Sequence, residues 1–177
     1  DWAEYRIGTL AALFRPEERL TARTKQVSIA AALATHTDVA AALTRFRDTV
    51  WNDPAHTLMG AEQERWFADR MRAAARETRW QVFAQQVNVG YTHMPAKALE
   101  WMKGSDTVRI GVAAAKLGLP FSMDSWNGYP AARSRMLRSG LDADANLVVL
   151  SGDSHNAWAF DLEQDGAPMG VEFAGHS

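Results

Sequence analysis

The sequence predicts one layered α/β or α+β domain, with helices packed on a sheet, and three observations carry that prediction. Strand-like and helix-like stretches interleave through the first part of the chain and strand-like stretches follow one another at its end. "NLVVLSG" (residues 146–152) is a short continuous apolar run of the kind found in strands buried on both faces. "AEQERWFADRMRAAAR" (residues 61–76) gathers Trp66, Phe67, Met71 and Ala74 on one side and charges on the other, which makes it an amphipathic helix.

Taken in order, "YRIGTLAALFR" (residues 5–15) reads as a strand whose glycine marks a bulge or a turn. Residues 25–51 are alanine-rich with apolar residues at helical intervals, such as Ala41, Leu43 and Phe46. They predict two short helices broken near "THTD", where Thr37 or Asp38 can cap. "NDPAHTLMG" is a loop by its Asn, Asp, Pro and Gly content. The amphipathic helix follows, then a strand in "WQVFAQQV" (residues 80–87) and a mostly helical run over residues 96–117, interrupted near Gly104 and Ser105. "PFSMDSWNGYP" is a loop, and "AARSRMLRSG" is a helix closed by Gly140. After the buried run, "AWAFDLE" and "PMGVEFAG" alternate well enough to predict antiparallel strands joined at "EQDGAP".

Composition narrows the function. With 177 residues, 47% of them hydrophobic, the chain is one domain able to bury roughly 70% of the surface its unfolded form exposes. A formal charge of -2 with scattered Lys and Arg offers no field for a nucleic-acid backbone or an anionic membrane. No apolar stretch approaches the roughly 18 residues that span a bilayer, and the first residues lack the pattern of a signal peptide. There are no cysteines, hence no disulfides or thiolate ligands. The chain starts at Asp1 and is soon in strand-like sequence, and it ends close to another such run, so the expectation is a domain truncated at both ends.

The candidate chemistry sits at "LVVLSGDSHNAWAFDL" (residues 147–162). Asp153 and His155 fall just past a buried strand, where open α/β sheets place their sites, and a spacing of two lets both project to one side. A carboxylate oxygen is a hard ligand and a neutral imidazole suits iron or zinc, so the pair can serve two cations of different character. On spacing alone the alternative stands open that Asp153 caps a turn and His155 is satisfied by a carbonyl. Asp124, Trp126 and Asn156 are the candidate substrate contacts, with Tyr129 beside them, although the area of Trp126 and the following "GYP" turn favour a core anchor. Gln85 and Gln86 end a strand, where they can bond a ligand or the backbone. His36, His56 and His93 read as solvated loop residues, and His176 is given no role. Trp66, Trp80, Trp101 and Trp158 read as core or interface anchors.

The same segment is similar to the Gly-Asp-x-His segment of PhoD-like alkaline phosphatases, within the metallophosphoesterase group. "HTLMGAEQERWFADRM" resembles that family's Leu-x-Gly-x-x-Gln-x-x-Trp helix start and "TRWQVFAQQV" the strand after it. "MDSWNGYPAARSRML" resembles its Asp-x-Trp-Asp-Gly-Tyr loop and helix, and "GVEFAGHS" a strand near the domain's end, all in the same order. "YRIGTLAALFRPEERLTAR" is similar to a strand that carries Gly-Asp and ends at an Arg. Thr9 stands where the acid is usual and Asn127 where the loop has Asp.

The resemblance implies a layered metallophosphoesterase-type β-sandwich flanked by helices, incomplete in this chain. It implies a phosphate ester substrate and two metal ions, calcium and iron, with zinc or manganese as alternatives. Asp153 and His155 would be metal ligands, one toward each cation, with the other ligands upstream. Export to the periplasm or the exterior is suggested by the resemblance alone. The expected partner is the missing N-terminal half of its own domain, and this chain alone is expected to be inactive. A related hydrolase acting on phospholipid head groups is a weaker reading. The competing class is a non-catalytic fragment or diverged scaffold that binds a partner.

Overall fold

The computed structural model describes residues 1–34 and 36–176; Thr35, within the expected helix break, and Ser177 lie outside the described residues. The expected first strand is a hairpin of β1 (Ala3–Ile7) and β2 (Ala11–Arg15). Gly8 turns it with φ at 52°, a conformation that glycine adopts without a Cβ clash, and the Leu10 amide donates to the Ile7 carbonyl at 2.9 Å. Two short helices follow, α1 (Ile29–Leu33) and α2 (Val39–Phe46), capped by the Ser28 and Asp38 side chains. A π-helical turn over Arg47–Trp51 continues α2.

The amphipathic segment is α3 (Gly60–Glu77), and it leads into β3 (Trp80–Gln85). The interrupted helical run resolves into α4 (Ala98–Trp101) and α5 (Asp106–Lys116), the latter capped by Ser105. Then come α6 (Pro130–Leu141), β4 (Leu147–Ser151), β5 (Trp158–Gln164) and β6 (Ala167–Ala174). Gly140 does not close α6 as expected but lies inside it. A Cβ there would come within 2.6 Å of the Met169 Cε, so its absence lets the helix settle onto β6.

The strands form one six-stranded sheet in the order β1-β2-β3-β4-β6-β5. The four inner neighbours β2, β3, β4 and β6 run parallel, and an antiparallel hairpin partner closes each edge. Of the layers that the resemblance implies, the described residues contain this sheet and the helices on one of its faces.

Helices α3 and α6 cover the face that carries Phe14, Phe83, Val149 and Glu172, all fully buried. The register puts Leu13, Val82, Val148 and Val171 in a row on the opposite face, with Leu150 and Phe173 beside them at 41% and 53% exposure. An apolar face of this extent is unusual for a sheet surface. The covered side holds the main core, in which Phe14, Phe67, Phe83 and Trp126 form a ladder of tilted and edge-on rings with centroids 5.4, 4.8 and 6.0 Å apart.

Trp126 is fully buried at the end of that ladder, and its indole N–H donates to the Gln85 side chain at 3.2 Å. Trp126→Ala should therefore cost about 3–5 kcal/mol, enough to unfold a domain of ordinary stability. A chemical denaturation curve that does not move on this substitution would contradict the core assignment.

Candidate functional site

Because β2, β3, β4 and β6 are parallel, their C-terminal ends share one edge of the sheet, where Gln85, Ser151 and Ala174 stand in register. The segments that leave this edge enclose a cavity of about 480 Å³ whose walls include Val87, His93, Asp124, Asp153, His155 and Asn156. Sequence reasoning identified four of these.

Asp153 and His155 leave β4 with φ values of 56° and 54°. Left-handed backbone at a residue with a side chain costs roughly 1–2 kcal/mol, less for Asp, and such outliers concentrate at sites. Asp153 Oδ1 lies 3.8 Å from His155 Nε2, and its other oxygen pairs with Arg19. Arg19 also reaches Asp124 at 3.3 Å, and Arg23 holds the second oxygen of Asp124 at 2.6 Å. Arg19 and Arg23 thus alternate in an ion-pair chain with Asp153 and Asp124, the two carboxylates on the cavity wall.

Local chemistry fixes the segment that carries both arginines. The Glu17 carboxylate accepts the Arg19, Leu20, Thr21 and Ala22 amides and the Thr21 hydroxyl, at 2.6–3.2 Å. Burial pushes the Glu17 carboxyl up, but these hydrogen bonds together outweigh it and bring it down to about 2. The Gln63 side chain anchors Glu17 by accepting its amide at 2.7 Å and donating to its carbonyl at 2.8 Å, which ties the segment to α3.

Glu18, next in the chain, is fully buried. Burial pushes its carboxyl up to about 8, against the lowering influence of the Gln86 amide, the Arg19 charge and the Trp126 indole. Among the described residues Glu18 Oε1 has no hydrogen-bond partner, and neither has Gln86 Oε1. A neutral Glu18 is the form that such a setting accepts, because an isolated buried charge costs far more.

Trp126, a candidate substrate contact, lies beneath the site and not on its wall. The Ser125 side chain caps a 3₁₀ turn over Trp126–Gly128 that folds the indole inward. The turn needs Gly128, where a Cβ would fall 2.1 Å from the Met123 carbonyl oxygen. Tyr129 is likewise buried. Asn156 lines the cavity, but its amide donates back to the Ser154 carbonyl at 3.3 Å. Gln85 bonds Ser151, Trp126 and Val87 within the protein.

His93 is exposed as expected, yet it lines the same cavity, and the His176 ring sits 6.4 Å from that of His155. His56 is not solvated as expected: it is half-buried with its ring 6.2 Å from that of Tyr129. Sequence reasoning missed Arg19 and Arg23. Their available signal was a proline and a dense run of charges directly after a strand that ends at the site edge.

Asp153 and His155 offer one oxygen and one nitrogen of the right chemistry for metal binding, side by side on a solvent-reaching wall. Among the described residues no group of three or more His, Cys, Asp or Glu is placed to hold a metal ion. The pair therefore fits as part of a metal site and needs donors from elsewhere to complete one. No helix among the described residues is long and apolar enough to cross a membrane.

Comparison with known proteins follows the same line. The family model for PhoD-like phosphatases matches residues 1–177. Alkaline phosphatase D of Bacillus subtilis (strain 168) is 33% identical over 131 residues, covering 71% of this chain and 19% of the relative. The solved structure of PhoD superposes with a TM-score of 0.66 at 27% identity, covering 99% of this chain and 28% of that one. The chain thus spans a minor part of the length of either relative.

Glu18 gives a pH test. Below about pH 4.5 the folded and unfolded chains both keep this proton, whereas between 4.5 and about 8 only the folded chain keeps it. Stability should fall across that window as pH rises, by up to about 1.4 kcal/mol per pH unit from this group. Glu18→Gln should remove that slope, so urea unfolding at pH 8 should favour the variant clearly and at pH 4 hardly at all. Parallel pH profiles for the two proteins would mean that Glu18 is ionised when folded.

Proposed function

Because the chain belongs to the PhoD-like phosphatase family, we propose that it supplies part of the site of a metal-dependent phosphoric ester hydrolase, an alkaline phosphatase or phosphodiesterase. The observation that supports this reading best is a carboxylate–imidazole pair on one cavity wall, with two guanidinium groups ion-paired to the Asp124 and Asp153 carboxylates of that cavity. Phosphoryl transfer needs both: charge-stabilising centres on the phosphate oxygens and a means of activating water.

Asp153 and His155 would hold the metal ions, calcium with iron or else zinc or manganese, together with ligands from other parts of the polypeptide. Bound metal would supply Lewis acidity, which withdraws charge from the ester and makes a water easier to deprotonate. The two oxygens of Asp153 already face different partners, His155 and Arg19, so one can serve a cation while the other keeps the guanidinium aimed. Arg19 and Arg23 match a phosphate's planar pairs of oxygens, and Asp124 holds both arginines beside the cavity until substrate competes for them. Phe121, Met94 and Trp158 on the cavity wall offer apolar surface to the leaving group.

The remaining part of the domain is the proposed partner of the open sheet face. The Val82, Val148 and Val171 row, with Leu150 and Phe173, offers the apolar surface that a second layer needs.

In the complete polypeptide, Asp153→Ala and His155→Ala should each lose bound metal and reduce turnover by orders of magnitude while the protein stays folded. Near-normal rates with full metal content in either variant would refute the ligand assignment. The 177-residue chain by itself should hydrolyse p-nitrophenyl phosphate no faster than background. Metal-dependent turnover by the purified chain would show that it holds a complete site.

A further inference from the structure

Glu172 is a fully buried carboxylate in the middle of β6, on the helix-covered face. A buried charge persists only where donors surround it, and this one has three. Oε1 accepts the Val89 amide at 2.8 Å and the Ser151 hydroxyl, and Oε2 accepts the Gly90 amide. The Ser151 hydroxyl in turn accepts the Gln85 amide, and Gln85 accepts from Trp126 and from the Val87 amide. One buried polar chain therefore crosses beneath the cavity from β6 through β4 to β3.

Both ends of this chain reach the cavity walls. Ser151 is the last residue of β4 and stands two positions before Asp153, so its side chain fixes where the Asp153–His155 segment departs. Val89 and Gly90 end the segment that carries the wall residues Val87 and Asn88. That segment is gripped from two sides, because Arg133 donates to the Val89 carbonyl at 2.7 Å while Glu172 takes the Val89 and Gly90 amides. Burial weakens the hold of Arg133 on its proton, and the negative charge of Glu172 is the largest influence against that loss. Gly90 permits the approach: a Cβ there would stand 2.3 Å from the Phe160 ring.

We infer that Glu172 is a positioning residue that locks the Asp153–His155 wall to the Val87–Asn88 wall, and so sets the width and alignment of the cavity in which the ester reacts. This rests on the phosphoesterase reading of that cavity. Glu172 touches neither substrate nor metal ligand; it acts through Ser151 on one side and through two backbone amides on the other. A side chain that only filled space would do as well as glutamine, whose shape is the same. Glutamine turns one acceptor into a donor and sets it against an N–H or O–H donor.

The test is kinetic and structural together, in the complete polypeptide, with p-nitrophenyl phosphate as the probe. Glu172→Gln should lower kcat per folded molecule about 10–100-fold with KM changed much less, and should speed hydrogen exchange at the Val89 and Gly90 amides. Ser151→Ala should show part of the same loss, and the double variant should fall no further than Glu172→Gln alone, since both act through one contact. If Glu172→Gln fails to fold, Ser151→Ala decides: lowered kcat supports the inference and unchanged kcat overturns it. Unchanged kcat per folded Glu172→Gln molecule, or additive effects in the double variant, overturn it as well. An unsubstituted polypeptide with neither turnover nor bound metal would overturn the phosphoesterase reading itself, and this inference with it.

Discussion

Four adjacent parallel strands leave their sheet at a single edge, and the site hangs from that edge. Parallel pairing fixes direction: once β3 runs beside β2, and β4 beside β3, the last residues of β3, β4 and β6 fall in one line. The cost is equally fixed, because each departing strand frees peptide groups that its neighbour no longer pairs. The structure satisfies these groups with side chains. Glu17 collects the amides after β2, Glu172 those after β3, and Asn127 donates to the Gly90 carbonyl at 2.9 Å. Each of these also aims a wall of the cavity, so the demands of folding and the placement of chemistry are met by the same bonds.

Local pattern carried the fold well. The apolar run at 147–151, the amphipathic face of α3 and the turn residues around Gly166 each depend on neighbours in sequence, and each element formed where that pattern put it. The Gly-Asp-x-His tetrapeptide was legible for the same reason, since position after a buried strand is a local property. What could not be read is non-local. Arg19 matters because it meets Asp124 and Asp153, far along the chain, and nothing within "RPEERLTAR" states where those partners lie. His93 looked like any polar loop residue until the fold brought its loop to the cavity.

Two residues show how burial depends on more than alternation. In "GVEFA" the usual alternation rule puts valine and phenylalanine inside and glutamate outside. The structure does the reverse: Glu172 points into the helix-covered core and Phe173 is half exposed. The rule assumes one wet face, whereas this sheet has apolar residues on both, with polar ones admitted where a buried network can pair them. Trp126 is the contrasting case: its size and the following "GYP" turn favoured a core anchor, and a tight turn does fold it entirely inside.

The arrangement of strands also dictates an order of assembly. The two edge hairpins, β1 with β2 and β5 with β6, join residues close in sequence and can form within microseconds. The central pairings cannot, since residues 16–79 must be looped out before β2 meets β3 and residues 86–146 before β3 meets β4. Loop closure of that length precedes any reward from contact, which makes such sheets slow to complete. Until the centre zips, β3 and β4 are bare apolar strands with open edges, the form of a chain most prone to pairing with its neighbours. The sheet order that gathers the site at one edge therefore makes the newly made chain most vulnerable at the two strands that carry it.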